Sequence, residues 1–199
     1  MLKLDNISFA YGKAAKVLCG MSLEVAPQER VAIVAPSGTG KTTLMKIAAG
    51  YLKPQAGSVS VDGKPLPRRG ICPVQMIWQH PEQALDPRMR MRDSLLEAGP
   101  INAGLVEALG IQDEWMTRYS HELSGGQLQR FCIARALAAK PRYLIADEVS
   151  AMLDAVTQAQ LWGFLMDECS RRNIGMLLSS HSAALLGRVA TRTVELPAC

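Results

Sequence analysis

The densest chemistry in this sequence lies in Ala35-Pro-Ser-Gly-Thr-Gly-Lys-Thr-Thr43, where small and hydroxyl-bearing residues surround one lysine. A loop of this kind can wrap an anion, because successive backbone N–H groups point inward and no large side chain obstructs the approach. Ser37, Gly38, Thr39, Gly40, Lys41, Thr42 and Thr43 are therefore the candidate phosphate contacts. Lys41 is expected to reach the β- and γ-phosphates of a nucleotide, and Thr42 to ligate Mg2+. The spacing matches GxxxxGK[ST] except at its first position, where Ala35 replaces glycine. If that position needs a positive φ, the alanine Cβ costs about 1 kcal/mol.

Two further stretches could act on the same phosphates. Tyr143-Leu-Ile-Ala-Asp-Glu148 is an apolar run ending in two carboxylates. Asp147 is expected to hold Mg2+ through its water shell, and Glu148 to orient or deprotonate an attacking water. Leu123-Ser-Gly-Gly-Gln127 precedes a helical pattern, with Ser124 lying 23 residues before Asp147. Ser124, Gly125 and Gly126 thus open a second helix N-terminus able to receive an anion.

The elements that must position these groups follow from hydrophobic period. Leu2, Leu4, Ile7 and Phe9 suggest one strand. Val17, Cys19, Met21, Leu23 and Val25 alternate with polar or small residues and predict a half-buried second strand with those five facing inward. Arg30–Ala35 is a short apolar run of a covered sheet. Lys41 to Leu52 reads as a helix with Leu44, Ile47, Ala48 and Tyr51 on one face. Strands are predicted at Ser58–Asp62, which ends in the turn pair Asp62-Gly63, and at Ile71–Trp78. From His80 to about Lys140 the pattern turns helical, around Met91–Ala98, Leu105–Leu109 and Gln127–Ala139. Strands return at Arg142–Ala146, Ile174–Ser179 and Thr191–Leu196, with a long helix near Thr157–Arg172. The order implies an α/β fold, a mostly parallel sheet covered by helices, with a helical subdomain inserted over 80–140.

The signature LSGGQLQR, the phosphate loop and the Asp-Glu strand, in this order and spacing, resemble an ATP-binding-cassette (ABC) ATPase. The resemblance covers essentially the whole chain. It implies a P-loop NTPase (RecA-like) core over 1–79 and 141–199, with an antiparallel β portion and the helical subdomain. ATP and Mg2+ are the implied cofactors, and Lys41, Glu148 and His181 the implied catalytic groups. Tyr11 resembles the aromatic that stacks on adenine. Gln79 resembles the strand-end glutamine that contacts Mg2+ and senses the membrane subunit. Ala151-Met-Leu-Asp154 is similar to the family's SALD loop, and His181 to the switch histidine at the γ-phosphate. Two subunits of such proteins pair head to tail, so Ser124, Gly125 and Gly126 would act on nucleotide held by the partner, and Asp154 would face it while also capping a helix. Gln79-His-Pro-Glu-Gln-Ala-Leu-Asp-Pro-Arg-Met89 resembles a stretch of oligopeptide, dipeptide and nickel importer ATPases. The implied partners are integral permease subunits, a second like or related ATPase subunit and, through the permease, a solute-binding protein. Arg88, Arg90 and Arg92 alternate with Met89 and Met91, as on a basic, adaptable docking surface. Two alternatives stay open: an ATPase of a soluble assembly such as the phosphonate-degrading relatives, and a non-transport ABC protein.

Composition fits this picture. The chain has 199 residues, a length expected for one domain. Lys+Arg number 22 against 18 Asp+Glu, a near balance that argues against a dedicated nucleic-acid binder. No apolar run reaches membrane-spanning length and no signal-peptide core opens the chain, so it is expected to stay in the cytoplasm, and the resemblance implies a peripheral place on the cytoplasmic face of the membrane. The sequence stops soon after its last strand, which predicts no regulatory domain and no metal beyond Mg2+. Five cysteines, an odd number without a CxxC, argue against disulfide or zinc and predict small apolar core residues in a reducing compartment.

Overall fold

A computed structural model describes the chain except for Lys13, Ala14, Met152 and Ala198. It begins with β1 (Leu2–Ala10), β2 (Lys16–Val25), β3 (Arg30–Val34), α1 (Lys41–Ala48), the hairpin β4 (Ala56–Val61) and β5 (Lys64–Pro65), and β6 (Val74–Ile77). Helical pieces follow: α2 (Met91–Leu96), α3 (Ala103–Ala108), α4 (Asp113–Met116) and α5 (Gly125–Ala138). The chain ends with β7 (Tyr143–Asp147), α6 (Ala155–Arg172), β8 (Gly175–Ser179), α7 (Ala183–Val189) and β9 (Arg192–Glu195).

Two sheets result. An antiparallel one runs β2-β1-β4-β5, and a parallel one runs β6-β7-β8-β3-β9. The parallel strands are apolar throughout because both their faces are covered. Val31 and Ile33, Tyr143 and Ile145, and Leu177 pack with α1 and the antiparallel sheet. Their neighbours Ala32, Leu144, Ala146, Met176 and Leu178 face the other way, onto Phe131 of α5 and Trp162 and Leu165 of α6. Alternation along each strand thus builds two cores from one sheet. The carboxyl ends of β3, β6, β7 and β8 share one edge, and the candidate residues emerge there.

Several sequence expectations are corrected. The first helix ends at Ala48, where Gly50 and Tyr51 fold back to the carbonyls of Ile47 and Lys46. Tyr51 is therefore not on its apolar face but exposed, edge-on to Trp78. The strand expected from Ile71 starts only at Val74, leaving Ile71 exposed. Cys19 does not face inward. Register slips between Ile7↔Met21 and Phe9↔Leu18, so β2 carries one extra residue at Cys19–Gly20. This bulge hands the core position to Leu18 and turns Cys19 outward. Cys19 is then disulfide-bonded to Cys199, against the expectation of five unpaired thiols. Pairing depends on closeness in the fold, here 5.4 Å between Cα atoms, which sequence spacing does not report. Cys132 and Cys169 are buried, as expected, and Cys72 is half-buried. Nor do the alternating arginines make a freely adaptable surface. Met91 is fully buried, Arg90 lies over the Tyr119 ring and donates to the Thr117 carbonyl, and Arg88 pairs with Asp86. That guanidinium and the Arg88 N–H hold the Asp86 carboxyl at about 2, well below its usual value.

Candidate functional site

The phosphate loop leaves β3 and enters α1 through Gly40, whose φ is 100°. A Cβ there would lie 2.6 Å from Val17 Cγ1, so no other residue fits between this loop and β2. The Thr39 hydroxyl donates to the Pro36 carbonyl and tightens the turn. Lys41 Nζ donates to the carbonyls of Ala35, at 2.7 Å, and Pro36, at 3.1 Å, which stretches the ammonium across the base of the loop. The first N–H groups of α1 have no earlier helical carbonyl to bind, and with the helix dipole they favour an anion here. Ala35 is not among the residues with positive φ, so its Cβ brings no strain. Ala35→Gly is accordingly expected to leave nucleotide affinity within about twofold while lowering stability by about 0.5–1 kcal/mol through added chain entropy. Calorimetric titration and thermal denaturation of the variant check both parts.

Beside the loop opens a cleft of about 510 Å³. Ser37, Gly38, Gly40, Lys41, Thr42 and Thr43 form one wall; Tyr11, Gln79, Glu148 and His181 complete it, with Val17 as the one lining residue that sequence reasoning missed. Tyr11 is half-exposed, with its hydroxyl 3.1 Å from the Thr43 hydroxyl and its ring edge-on to Phe9.

Glu148 is the meeting point of three strand ends. Its backbone sits at φ 49°, an uncommon conformation for a non-glycine residue, and its N–H donates to the Ser179 carbonyl. Gln79 Nε2 donates to Oε2 at 2.8 Å, and His181 Nε2 lies 2.8 Å from Oε1. The histidine contact requires the proton on Nε2. The turn after Glu148 is tied to α6, because Trp162 and Gln158 both donate to the Ser150 hydroxyl. Asp147 is buried just before it and accepts from the Ser179 hydroxyl at 2.8 Å. Ser179 and Ser150 also went unread; the only signal is a small polar residue beside a buried apolar strand.

The remaining candidates lie outside this cleft. Ser124 caps α5 in a closed box: its hydroxyl accepts from the Gln127 N–H, and the Gln127 amide oxygen accepts from the Ser124 N–H. Gly125 and Gly126 follow in the first turn of that helix. Asp154 caps α6, accepting from Val156 and Thr157 N–H and from the Thr157 hydroxyl. These bonds lower its carboxyl's pKa. Met152, part of the stretch quoted with Asp154, lies outside the described residues.

Parallel strands topped by a phosphate loop, with a carboxylate-bearing strand end opposite, define the P-loop nucleotide-binding fold. The family model described as "ABC transporter" matches residues 18–151, and the chain belongs to that family. Among curated relatives, the dipeptide transport ATP-binding protein DppF of Lactococcus lactis subsp. cremoris is 31% identical over 96% of this chain and 70% of its own length. The glutathione import ATP-binding protein GsiA of Escherichia coli O6:H1 is 33% identical over 86% of this chain, which spans 31% of that longer protein. A solved dimeric cassette, MJ0796 in a post-hydrolysis state with ADP and Pi, superposes with a TM-score of 0.84 at 24% identity, covering 98% of this chain and 94% of its own.

Proposed function

We propose that this chain is the ATP-binding and hydrolysing subunit of an ABC importer of peptides or a similar small solute. The observation that carries the reading is Glu148 held at the mouth of the phosphate loop between Gln79 and His181. The loop's N–H groups and Lys41 bind and orient the phosphates, and Tyr11 stacks on the base. Glu148 takes a proton from the attacking water at a carboxylate oxygen, and His181 supports that water and the γ-phosphate. Each Glu148 oxygen accepts one hydrogen bond here and keeps a second lone pair for the attacking water, which can share Oε2 with the Gln79 amide. Through that shared oxygen Gln79 couples the site to whatever docks beyond it.

The donors suit Mg2+. Thr42 hydroxyl, Gln79 amide and Asp147 carboxylate are hard oxygens, and no cluster of three His, Cys, Asp or Glu forms a protein cage among the described residues. Thr42, Gln79 and Asp147 would hold Mg2+ beside the bound phosphates, where it would supply charge neutralisation for the transferring phosphoryl group.

Residues 80–140 serve as the helical subdomain, presenting Ser124, Gly125 and Gly126 to the nucleotide of a second subunit, with Asp154 near that interface. Ser124, Gly125 and Gly126 do not line the cleft beside this chain's own phosphate loop, which supports this reading. No helix among the described residues is long and apolar enough to cross a membrane. In this reading the chain sits at the cytoplasmic face and couples to integral permease subunits. Affinity purification of the Glu148→Gln chain from its native cells in mild detergent with Mg-ATP tests this. Integral permease subunits are expected to co-purify. Recovery of only soluble enzymes would leave the ATPase and remove the transport role.

A further inference from the structure

The Cys19–Cys199 bond joins two segments that flank the phosphate loop. On one side, β2 touches the loop directly: a Cβ on Gly40 would lie 2.6 Å from Val17 Cγ1, 3.1 Å from the Val17 carbonyl and 3.4 Å from Leu18 Cδ2. Cys19 follows Leu18, and the bulge that aims it outward is secured by Gly20, at φ 69°, whose N–H donates to the Ser8 hydroxyl. On the other side, the segment leaving β9 is pinned to the loop's root. The Leu196 N–H donates to the Val34 carbonyl at 3.0 Å, one residue before Ala35, whose own carbonyl receives Lys41. The strand β9 already has a noncovalent tie to the same neighbourhood, since Arg192 donates to the Glu24 carbonyl and pairs with Glu29. Breaking the disulfide would therefore release Cys199 from β2 without detaching β9.

The remaining thiols are not competitors. Cys132 and Cys169 are buried, which pushes both up to about 12, and Cys72 is half-buried and also raised. Thiolate chemistry needs exposure and an accessible anion, and both partners of the bonded pair are exposed.

We propose that Cys19 and Cys199 form a redox-sensitive strap that braces β2 against the phosphate loop and, on reduction by a dithiol, loosens nucleotide binding. The exchange is a two-electron one. A thiolate of the dithiol attacks one sulfur and displaces the other as a thiolate; its second thiol then closes the reductant's own disulfide, and Cys19 and Cys199 leave as two thiols carrying the two protons. A small disulfide such as oxidised glutathione, in two steps, restores the bond and departs as two thiols.

The nucleotide part of this proposal rests on the function proposed above, and the test separates the two. The full chain is equilibrated in oxidised or reduced dithiothreitol, labelled natively with a maleimide and analysed by peptide mass spectrometry, and its affinity for a fluorescent ATP analogue is measured in each state. Cys19 and Cys199 are expected to resist labelling when oxidised and both to label when reduced, with at least threefold weaker binding in the reduced form. Cys199→Ser, whose site is exposed, should bind as the reduced form does and lose its response to redox. Free labelling of both thiols under oxidising conditions overturns the strap. Equal affinities in the two states overturn its link to the loop. Absence of binding in either state would instead overturn the nucleotide reading, and the link with it.

Discussion

Glu148→Gln is expected to lower ATP turnover about 10²–10⁴-fold, the usual contribution of a positioned general base, while ATP affinity stays within about threefold. The substitution isolates charge from shape. The glutamine oxygen can still accept from Gln79 Nε2, and its amide can donate to His181 in the other imidazole tautomer, so the two 2.8 Å contacts survive. The backbone at φ 49° is as tolerable for glutamine as for glutamate, and the Ser150–Trp162 tie behind it is untouched. What disappears is the capacity to take a proton from water. With Mg-ATP the variant should therefore accumulate with unhydrolysed nucleotide, and size-exclusion chromatography should find it as a dimer. Single-turnover assays with labelled ATP provide the rate. Turnover near that of the parent chain would remove Glu148 from the base role and direct attention to His181.

The ease with which this site could be read differed from part to part. The phosphate loop and the Asp147-Glu148 strand end were legible because each is local: nine consecutive residues and six consecutive residues carry the whole signal. The two-faced parallel sheet was also legible, since strands covered on both sides must be apolar throughout. The approach of Gln79 and His181 to Glu148 is a different matter. It joins residues far apart in sequence, and only the strand order β6-β7-β8 makes them neighbours. The family resemblance supplied what periodicity could not. Failures cluster where one residue changes the phase of a pattern. The extra residue at Cys19–Gly20 leaves Met21, Leu23 and Val25 facing inward but changes the phase before them, so that Leu18 replaces Cys19 in the core, and so it hid both the exposed cysteine and its bond to Cys199. Arg90 failed for a related reason: a charged residue in a basic-looking run spends its donors on a carbonyl and a ring across the fold.

Lys41 carries the second large expectation, and its two measurable effects differ in kind. Lys41→Ala should weaken ATP binding by roughly 10–150-fold, the equivalent of about 1.5–3 kcal/mol for a hydrogen bond made to a charged group. In this structure the ammonium rests on the carbonyls of Ala35 and Pro36, two acceptors at the root of the loop, and it has only to turn from them to meet phosphate oxygens. Stability responds differently. A cation in the first turn of a helix opposes the positive end of the helix dipole, and alanine is the better helix former there. Against that stand two carbonyl contacts, one of them exposed to water that can replace the lost donor. The opposing terms are each of order 1 kcal/mol, so the melting temperature without nucleotide should move by no more than a few degrees. Titration of a fluorescent ATP analogue, paired with thermal denaturation of the nucleotide-free chain, measures both. A large fall in melting temperature with affinity unchanged would mean that Lys41 holds the loop together instead of binding phosphate. A fall in affinity alone places it on the nucleotide, because a loop that keeps its fold while losing its ligand has lost a contact and not a scaffold.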